Sequence, residues 1–248
     1  MNTSREPEPD GSFSLSSSLS WRSRFGLNCA NFLQAESAGV IGPVVLVFLA
    51  DTHWSYTTIG VVTTIGGLGG LVLQTPAGIL ADRVRRFRLL FVVASVLTGA
   101  CLALLPFVPR APAWIGGLLF LNGIAGTLFL PVLAALALSL VGDVRLPRLM
   151  GENQGWNHAG NIFAALLAMY FLHRLGARAA FASAAVASWL GAATMLLIRR
   201  RELHGETPTV ATLRASVKSG SGVGSWRLLL QDRRIWILFI AASSANAA

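Results

Sequence analysis

Charged residues are scarce in this chain of 248 residues. Asp, Glu, Lys and Arg together make up 12% of it, whereas an average soluble domain has about 25%. Hydrophobic residues make up 54%, and the mean hydropathy is +0.61. Such a composition leaves too little polar surface to cover a water-soluble monomer, so it indicates a membrane protein.

Cysteine and the patterns that hold cofactors are also nearly absent. Cys29 and Cys101 stand alone in apolar runs, so the sequence predicts no disulfide framework and no metal site. No glycine-rich phosphate loop occurs, and we expect no cofactor. The first 24 residues are acidic and serine-rich and lack the apolar core of a secretory signal. We interpret residues 1–20 as a disordered cytoplasmic tail.

Long apolar segments fill most of the remaining chain. A membrane-spanning helix needs about 20 mainly apolar residues. Six segments meet this requirement: Phe25–Leu49, Thr57–Leu80, Leu89–Val108, Ala113–Val141, Leu149–Leu172 and Gly176–Ile198. We therefore predict an all-α membrane protein with a six-helix bundle over residues 21–198. A polar cytoplasmic linker is predicted over 199–234, and the apolar segment 235–248 would be an incomplete seventh helix.

The basic residues are distributed unevenly along this pattern. Seventeen of the 20 Lys and Arg residues fall in the tail, the alternate loops and the linker, and three fall in the other loops. Because cytoplasmic loops carry the excess of Lys and Arg, the amino terminus is predicted to lie in the cytoplasm. The positive charge therefore reflects topology, and we expect no nucleic-acid partner. The preference for Arg over Lys favours a GC-rich bacterial gene and hence a bacterial inner membrane.

One loop carries a specific motif. Residues 78–88 read GILADRVRRFR, which resembles the signature that the major facilitator superfamily (MFS) has between its second and third helices. The resemblance implies the amino-terminal half of a twelve-helix MFS-type transporter, truncated in helix 7. It also implies a cytoplasmic gating latch formed by Gly78, Asp82, Arg83 and Arg86. Arg85 stands where the family usually has glycine, and an ordinary charged hairpin loop is the alternative interpretation.

Two further stretches resemble the family in degraded form. Asn122 stands where proton-coupled exporters of the family often carry Arg, and Asn161 stands where drug antiporters tend to carry Pro. These differences argue against the well-described drug:proton antiporters but not against transport. The resemblance implies a small solute, protons and the lipid bilayer as partners, together with a carboxyl-terminal half that is missing here. The chain alone is not expected to transport unless two copies pair.

Polar side chains inside the spans are the candidate site residues, because polar groups are costly in a membrane. They occur in spans one, four and five and are absent from the interior of spans three and six. In the family, helices one, two, four and five surround the central cavity. We therefore predict that the solute and proton path is lined by Asn28, Asn31, Gln34, Glu36, Asn122, Asn157, His158 and Asn161.

Individual residues within this set have different expected roles. Glu36 lies near the middle of span one, where apolar surroundings favour the protonated carboxyl, as a proton-coupling acid requires. A structural pairing with a neighbouring polar group is the alternative for Glu36. His158 could relay protons or form a hydrogen bond between helices, and both interpretations remain open. The glycines at four-residue steps in span two, including Gly66 and Gly70, predict close helix packing.

The sequence favours a secondary active transporter that moves a small polar or amphipathic solute by alternating access. The general resemblance of the chain to this family favours proton-coupled export. An enzyme is not expected, because no span contains the Gly-x-Ser setting of an intramembrane serine protease, and a channel filter sequence is also absent. A sensor or scaffold on the same fold that does not transport is left open.

The predicted orientation can be tested by labelling. A single cysteine introduced at Arg145, in a chain whose Cys29 and Cys101 are replaced by alanine, should resist a membrane-impermeant maleimide in intact cells. A cysteine at Arg110 should react, because the uneven distribution of arginine places this loop outside. The opposite labelling pattern would contradict the predicted topology.

Overall fold

The structure, a computed structural model, describes residues 19–83, 86–199 and 202, and for residues 75, 77–83 and 143 it describes the backbone alone. Six helices follow one another: α1 (Trp21–Ala50), α2 (Tyr56–Arg83), α3 (Phe87–Leu104), α4 (Pro112–Gly126), α5 (Phe129–Arg174) and α6 (Ala177–Thr194). No strand occurs in these residues, which confirms the all-α prediction. The predicted tail before residue 19, most of the linker and the seventh helix lie outside the described residues.

The fourth predicted span is interrupted in the structure. Helix α4 ends at Gly126, residues Thr127 and Leu128 form a turn, and α5 begins at Phe129. Pro131 has no backbone N–H, so an unbroken helix would lose a hydrogen bond at this position. The Thr127 hydroxyl donates to the Ile124 carbonyl oxygen at 2.7 Å and satisfies one of the carbonyls at the end of α4. The break therefore lies close to a proline, at a position where the apolar pattern alone gives no sign of an interruption.

Helix α5 contains both the end of predicted span four and all of predicted span five. Its backbone turns sharply at Gly142, where φ is 69° and ψ is 178°. A left-handed φ of this kind favours glycine, because a side chain would clash with the backbone. The turn separates an apolar first segment from a second segment that carries the candidate residues Asn157, His158 and Asn161.

Four helical stretches of the described residues are long and apolar enough to cross a membrane: Trp21–Ala50, Tyr56–Gln74, Phe87–Leu104 and Pro112–Gly142. The sequence predicts six spans. The second segment of α5 is less apolar because it carries Glu152, several amides and two histidines, and α6, which is as long as α3, is rich in alanine and includes Arg178. These two helices pack in the same bundle as the other four, which accommodates their lower hydropathy.

Helix α1 packs against α5 and α6, α2 packs against α4, and α3 packs against α6. Two apolar clusters fill the bundle. One lies toward the carboxyl end of α1 and includes Val44, Leu102 and Phe181. The other lies toward the amino end of α1 and includes Leu27 and Phe91. The polar candidate residues of α1 lie between and beside these clusters.

Helices α2 and α4 cross at direct backbone contact. A Cβ atom added at Gly69 would overlap the Phe120 carbonyl oxygen, and one added at Gly123 would overlap the Gly66 carbonyl oxygen. A Cβ at Gly66 would lie 3.0 Å from the Leu119 Cβ. Glycine is therefore needed for this close approach, which is the packing role predicted for the glycines of span two.

The first turn of α1 is joined to the chain that follows α6. Ser20 caps α1 by accepting a hydrogen bond from the Ser23 backbone N–H at 3.3 Å. The Ser20 hydroxyl also donates to Glu202 Oε2 at 2.9 Å, and the Arg199 backbone N–H donates to the Ser23 hydroxyl at 3.0 Å. Burial raises the pKa of Glu202, but hydrogen bonds from Ser20 and Ser23 outweigh this effect and leave the pKa below its ordinary value. The chain after α6 is thus anchored to the bundle.

Substitution of Gly69 by alanine should destabilise the protein because the new methyl group would force α2 and α4 apart. Overpacking of this kind costs about 1–3 kcal/mol. The matched control is Gly67→Ala, since a Cβ at Gly67 meets nothing within 4 Å. Unfolding of both variants by sodium dodecyl sulfate in mixed micelles measures the difference, and equal stability of the two variants would contradict the close crossing.

Candidate functional site

A ladder of polar side chains joins α1 to α5, and it begins with an ion pair. The Arg24 Nε atom donates to both carboxylate oxygens of Glu152, at 2.8 and 2.9 Å. The Arg24 Nη2 atom contacts the same carboxylate. Both side chains are partly exposed to solvent, so this end of the ladder lies at the edge of the bundle. The two-point contact fixes the relative position of the two helices there.

Three asparagines continue the ladder into the bundle. The Asn28 amide donates to Glu152 Oε1 at 2.7 Å, and its carbonyl oxygen accepts from the Asn153 amide at 3.2 Å. The Asn31 amide donates to the Asn153 backbone carbonyl at 2.8 Å and also contacts its side-chain oxygen. Asn28, Asn31 and Asn153 are all buried. Their hydrogen-bonding groups are mainly directed at one another rather than at an open space.

The far end of the ladder is more open. The Asn157 amide donates to the Asn31 side-chain oxygen at 3.0 Å. The Asn161 amide donates to the Asn157 backbone carbonyl at 3.0 Å and to its side-chain oxygen at 3.2 Å. Asn157 is half-buried and Asn161 is exposed. Of the predicted asparagines, Asn161 therefore presents the most accessible hydrogen-bonding groups.

Glu36 lies on α1 apart from the ladder. Its side chain is 2% exposed, and within the described residues neither carboxylate oxygen has a hydrogen-bond partner. A buried carboxylate without compensation is costly, so this environment favours the neutral carboxyl. The alternative of a structural pairing for Glu36 finds no partner in the described part of the chain. The position is chemically suited to hold a proton and to release it when a polar or cationic group approaches.

Gln34 and Asn122 are not brought together with the ladder. The Gln34 amide donates to the Ser95 hydroxyl at 2.8 Å, and the Ser188 hydroxyl donates to the Ser95 backbone carbonyl at 2.9 Å. Gln34 thus joins α1 to α3 and is buried there. Asn122 is half-buried on α4, and its side-chain oxygen has no partner among the described residues.

His158 lies on an exposed flank of α5. Gln154, His158 and Asn161 are exposed and follow one another at spacings of four and three residues, which places them along one side of the helix. The described residues provide no hydrogen bond between helices for His158. The role of His158 as a proton relay stays a prediction.

The predicted gating residues lie at the junction of α2 and α3. Gly78, Asp82 and Arg83 belong to α2, and their side chains lie outside the described part of the structure. Arg86 has an exposed side chain, and its backbone carbonyl accepts from the Leu90 N–H at 3.1 Å. The latch therefore stays a prediction. In the described residues, no group of three or more His, Cys, Asp or Glu side chains could hold a metal ion.

Three residues of the ladder were not predicted as site residues, namely Arg24, Glu152 and Asn153. Their positions carried a detectable signal: Arg24 precedes Asn28 by four residues, and Asn153 precedes Asn157 by four residues. Such spacing puts each pair on one helix face. The pairing of the α1 face with the α5 face, however, required the structure.

Comparison with known proteins adds independent evidence. A model of the Major Facilitator Superfamily matches residues 27–248. Two Mycobacterium tuberculosis proteins, from strains CDC 1551 / Oshkosh and H37Rv, are named as uncharacterized MFS-type transporters. Each is 37% identical to this chain over 140 residues. That segment is 56% of this chain and 33% of each relative, so the match spans about a third of the length of these relatives.

Replacement of Asn153 by alanine should destabilise the bundle, because it removes the bonds that the buried Asn153 side chain makes with the side chains of Asn28 and Asn31. Hydrogen bonds between membrane helices contribute about 0.6–1.7 kcal/mol, and we expect a loss near the upper end of this range. Gln154→Ala is the matched control, since Gln154 is adjacent but exposed. Equal unfolding free energies for the two variants in mixed micelles would show that the ladder does not stabilise the α1–α5 contact.

Proposed function

The chain belongs to the major facilitator superfamily, and we propose that it acts in a secondary active transporter for a small polar or amphipathic solute. The proposed mechanism is alternating access, in which two helix bundles rock around a site near the middle of the membrane. The observation that carries the proposal is the buried carboxyl of Glu36, which has no hydrogen-bond partner in the described residues. Transport coupled to protons needs an acid of this kind in the membrane interior.

The coupling step follows from the cost of burying a charge. In the absence of solute, Glu36 is protonated because its surroundings offer no compensating hydrogen bond. A conformation that admits water or a cationic group would stabilise the carboxylate and release the proton. Uptake and release of the proton on opposite sides of the membrane would then couple the pH gradient to solute movement. The residues of the ladder contribute no titratable group to its buried middle, which leaves Glu36 as the acid.

The solute path is assigned to the open end of the ladder and the exposed flank beside it. Polar side chains on a membrane helix do not face lipid without a large cost, so Asn161 and His158 must face water or protein. Asn157 lies next to them and is half-buried. The neutral donors and acceptors of these residues suit polar or zwitterionic solutes. Asn28 and Asn31, by contrast, hold α1 and α5 together beside the path.

A second bundle is part of the proposal. The polar flank of α5 is exposed in this chain, and the match covers only a third of each relative. We infer that a second bundle, either further chain or another copy, covers this flank and closes the path. The uneven distribution of arginine supports a cytoplasmic amino terminus in a bacterial inner membrane. Export is the proposed direction, on general resemblance to the family.

Solute flux in membrane vesicles that contain this chain together with its second bundle, as one full-length protein, tests the proposal. A panel of radiolabelled amino acids, sugars and organic cations would be followed with and without an imposed pH gradient. At least one solute class should move faster with the gradient than without it. If the flux of every solute were the same with and without the pH gradient, proton-coupled transport would be overturned and the scaffold alternative would be favoured.

The Glu36→Gln variant should lose most gradient-driven flux of the transported solute, because glutamine imitates the protonated acid but cannot release a proton. Exchange of labelled for unlabelled solute without a gradient should continue, since this exchange needs no proton release. Asp51→Asn is the control, because Asp51 is an exposed acid outside α1. Unchanged gradient-driven flux in the Glu36→Gln variant would assign a structural role to Glu36.

A further inference from the structure

We propose that one flank of the α1–α5 pair binds an anionic phospholipid of the cytoplasmic leaflet, with its headgroup at Arg22. The acyl chain would lie on an aromatic row formed by Trp21, Phe25, Phe32, Trp156 and Phe163. This inference rests on the predicted orientation of the chain in the membrane and not on its transport activity. It assigns a partner to a surface that the proposed transport mechanism does not use.

The aromatic row is continuous across the two helices. Trp21 stacks on Phe25 with ring centroids 5.2 Å apart. Phe25 and Phe32 both contact the edge or face of Trp156, with centroid distances of 6.4 and 6.2 Å. Phe32 then contacts Phe163 at 5.7 Å. These contacts hold the rings in a fixed strip along the α1–α5 groove.

The rings of this strip are accessible although they contact one another. Trp21 is 73% exposed, and Phe25, Trp156 and Phe163 are 37–45% exposed. Trp156 and Phe163 are seven residues apart, which places them on the same side of α5. His158 follows Trp156 by two residues, which is a little more than half a helical turn, so it lies on the opposite side. The polar flank and the aromatic flank of α5 are therefore distinct surfaces. An exposed apolar strip in a membrane protein contacts acyl chains.

Arg22 supplies the charge at one end of the strip. It precedes Phe25 by three residues and so lies on the same side of α1. Its side chain is exposed, and no ion pair or hydrogen bond engages it within the described residues. Arg24, by contrast, is bound to Glu152. Glu202 is held at Ser20, and Glu36 is buried beyond Phe32, so neither acid competes for Arg22 on this flank.

The dimensions agree with one lipid in one leaflet. Trp21 and Phe32 are eleven residues apart, which corresponds to about 16 Å along an α-helix. One leaflet of the hydrocarbon core is about 15 Å thick. Because Arg22 and Trp21 lie in the first turn of α1, the charge and the indole fall where headgroups and interfacial tryptophans are found. A phosphate group at Arg22 would complete this arrangement by charge complementarity.

Native mass spectrometry of the protein released from detergent micelles tests the proposal. The protein is titrated with phosphatidylglycerol or with phosphatidylcholine that has identical acyl chains. Because one Arg near the membrane surface favours an anionic lipid by a factor of about five, phosphatidylglycerol should bind about fivefold tighter. The Arg22→Gln variant should lose this preference. Arg110→Gln, which changes an exposed arginine of the loop between α3 and α4, should keep it.

Two further measurements distinguish this lipid site from an unselective apolar surface and from a site for free anions. Phe32→Ala should weaken the binding of both lipids without changing the preference, because it removes acyl-chain contact only. Inorganic phosphate should not displace the lipid, and displacement by phosphate would identify a free-anion site instead. Equal binding of the two lipids by the wild type, or an unchanged preference in a folded Arg22→Gln variant, would overturn the proposal. Circular dichroism checks the fold of each variant.

Discussion

The cost of an unpaired polar group in a membrane governs the arrangement of this bundle. The amides of Asn28, Asn31 and Asn153 cannot reach water, so they bond to one another and bring α1 and α5 into register. Gly160 permits this contact, because a Cβ there would overlap the Phe32 carbonyl oxygen. The positions of the open polar flank and of the aromatic row both follow from this register. Any change of register would break the ladder at several points together.

The cost of an unpaired polar group also distinguishes Glu36 from the other polar residues of α1. The side-chain amides of Asn28, Asn31 and Gln34 on the same helix each donate to a partner, whereas both oxygens of the Glu36 carboxyl lack one in the described residues. The protein thus tolerates an acid with no hydrogen bond beside amides whose N–H groups are bonded, although the Gln34 side-chain oxygen also lacks a partner in the described residues. The contrast separates the residues that join the helices from the acid for which proton exchange is proposed.

Much of the fold could be predicted from the sequence. The apolar runs predicted the helices, because burial in lipid requires long uninterrupted hydrophobic segments. The glycine spacing in span two predicted close packing, which Gly66 and Gly69 of α2 provide against α4, where Gly123 lies opposite Gly66. The break at Thr127 was not predicted, since hydropathy does not change there and a nearby proline is no reliable sign: Pro43, Pro76 and Pro147 all lie inside helices.

The candidate site was less accessible to prediction. The eight predicted residues are all polar, but the structure divides them among the α1–α5 ladder, the contact of Gln34 with α3 and the separate positions of Glu36, Asn122 and His158. A polar residue within a span needs a polar partner, but its polarity does not indicate which helix supplies that partner. Glu152 lies 124 residues from its partner Asn28, and Ser95 lies 61 residues from its partner Gln34, so only the fold could join them to α1.

The link between Ser20, Ser23 and the chain after α6 has a mechanical consequence of its own. A pull on the chain at Glu202 would reach the first turn of α1 through these bonds as well as α6 through the backbone.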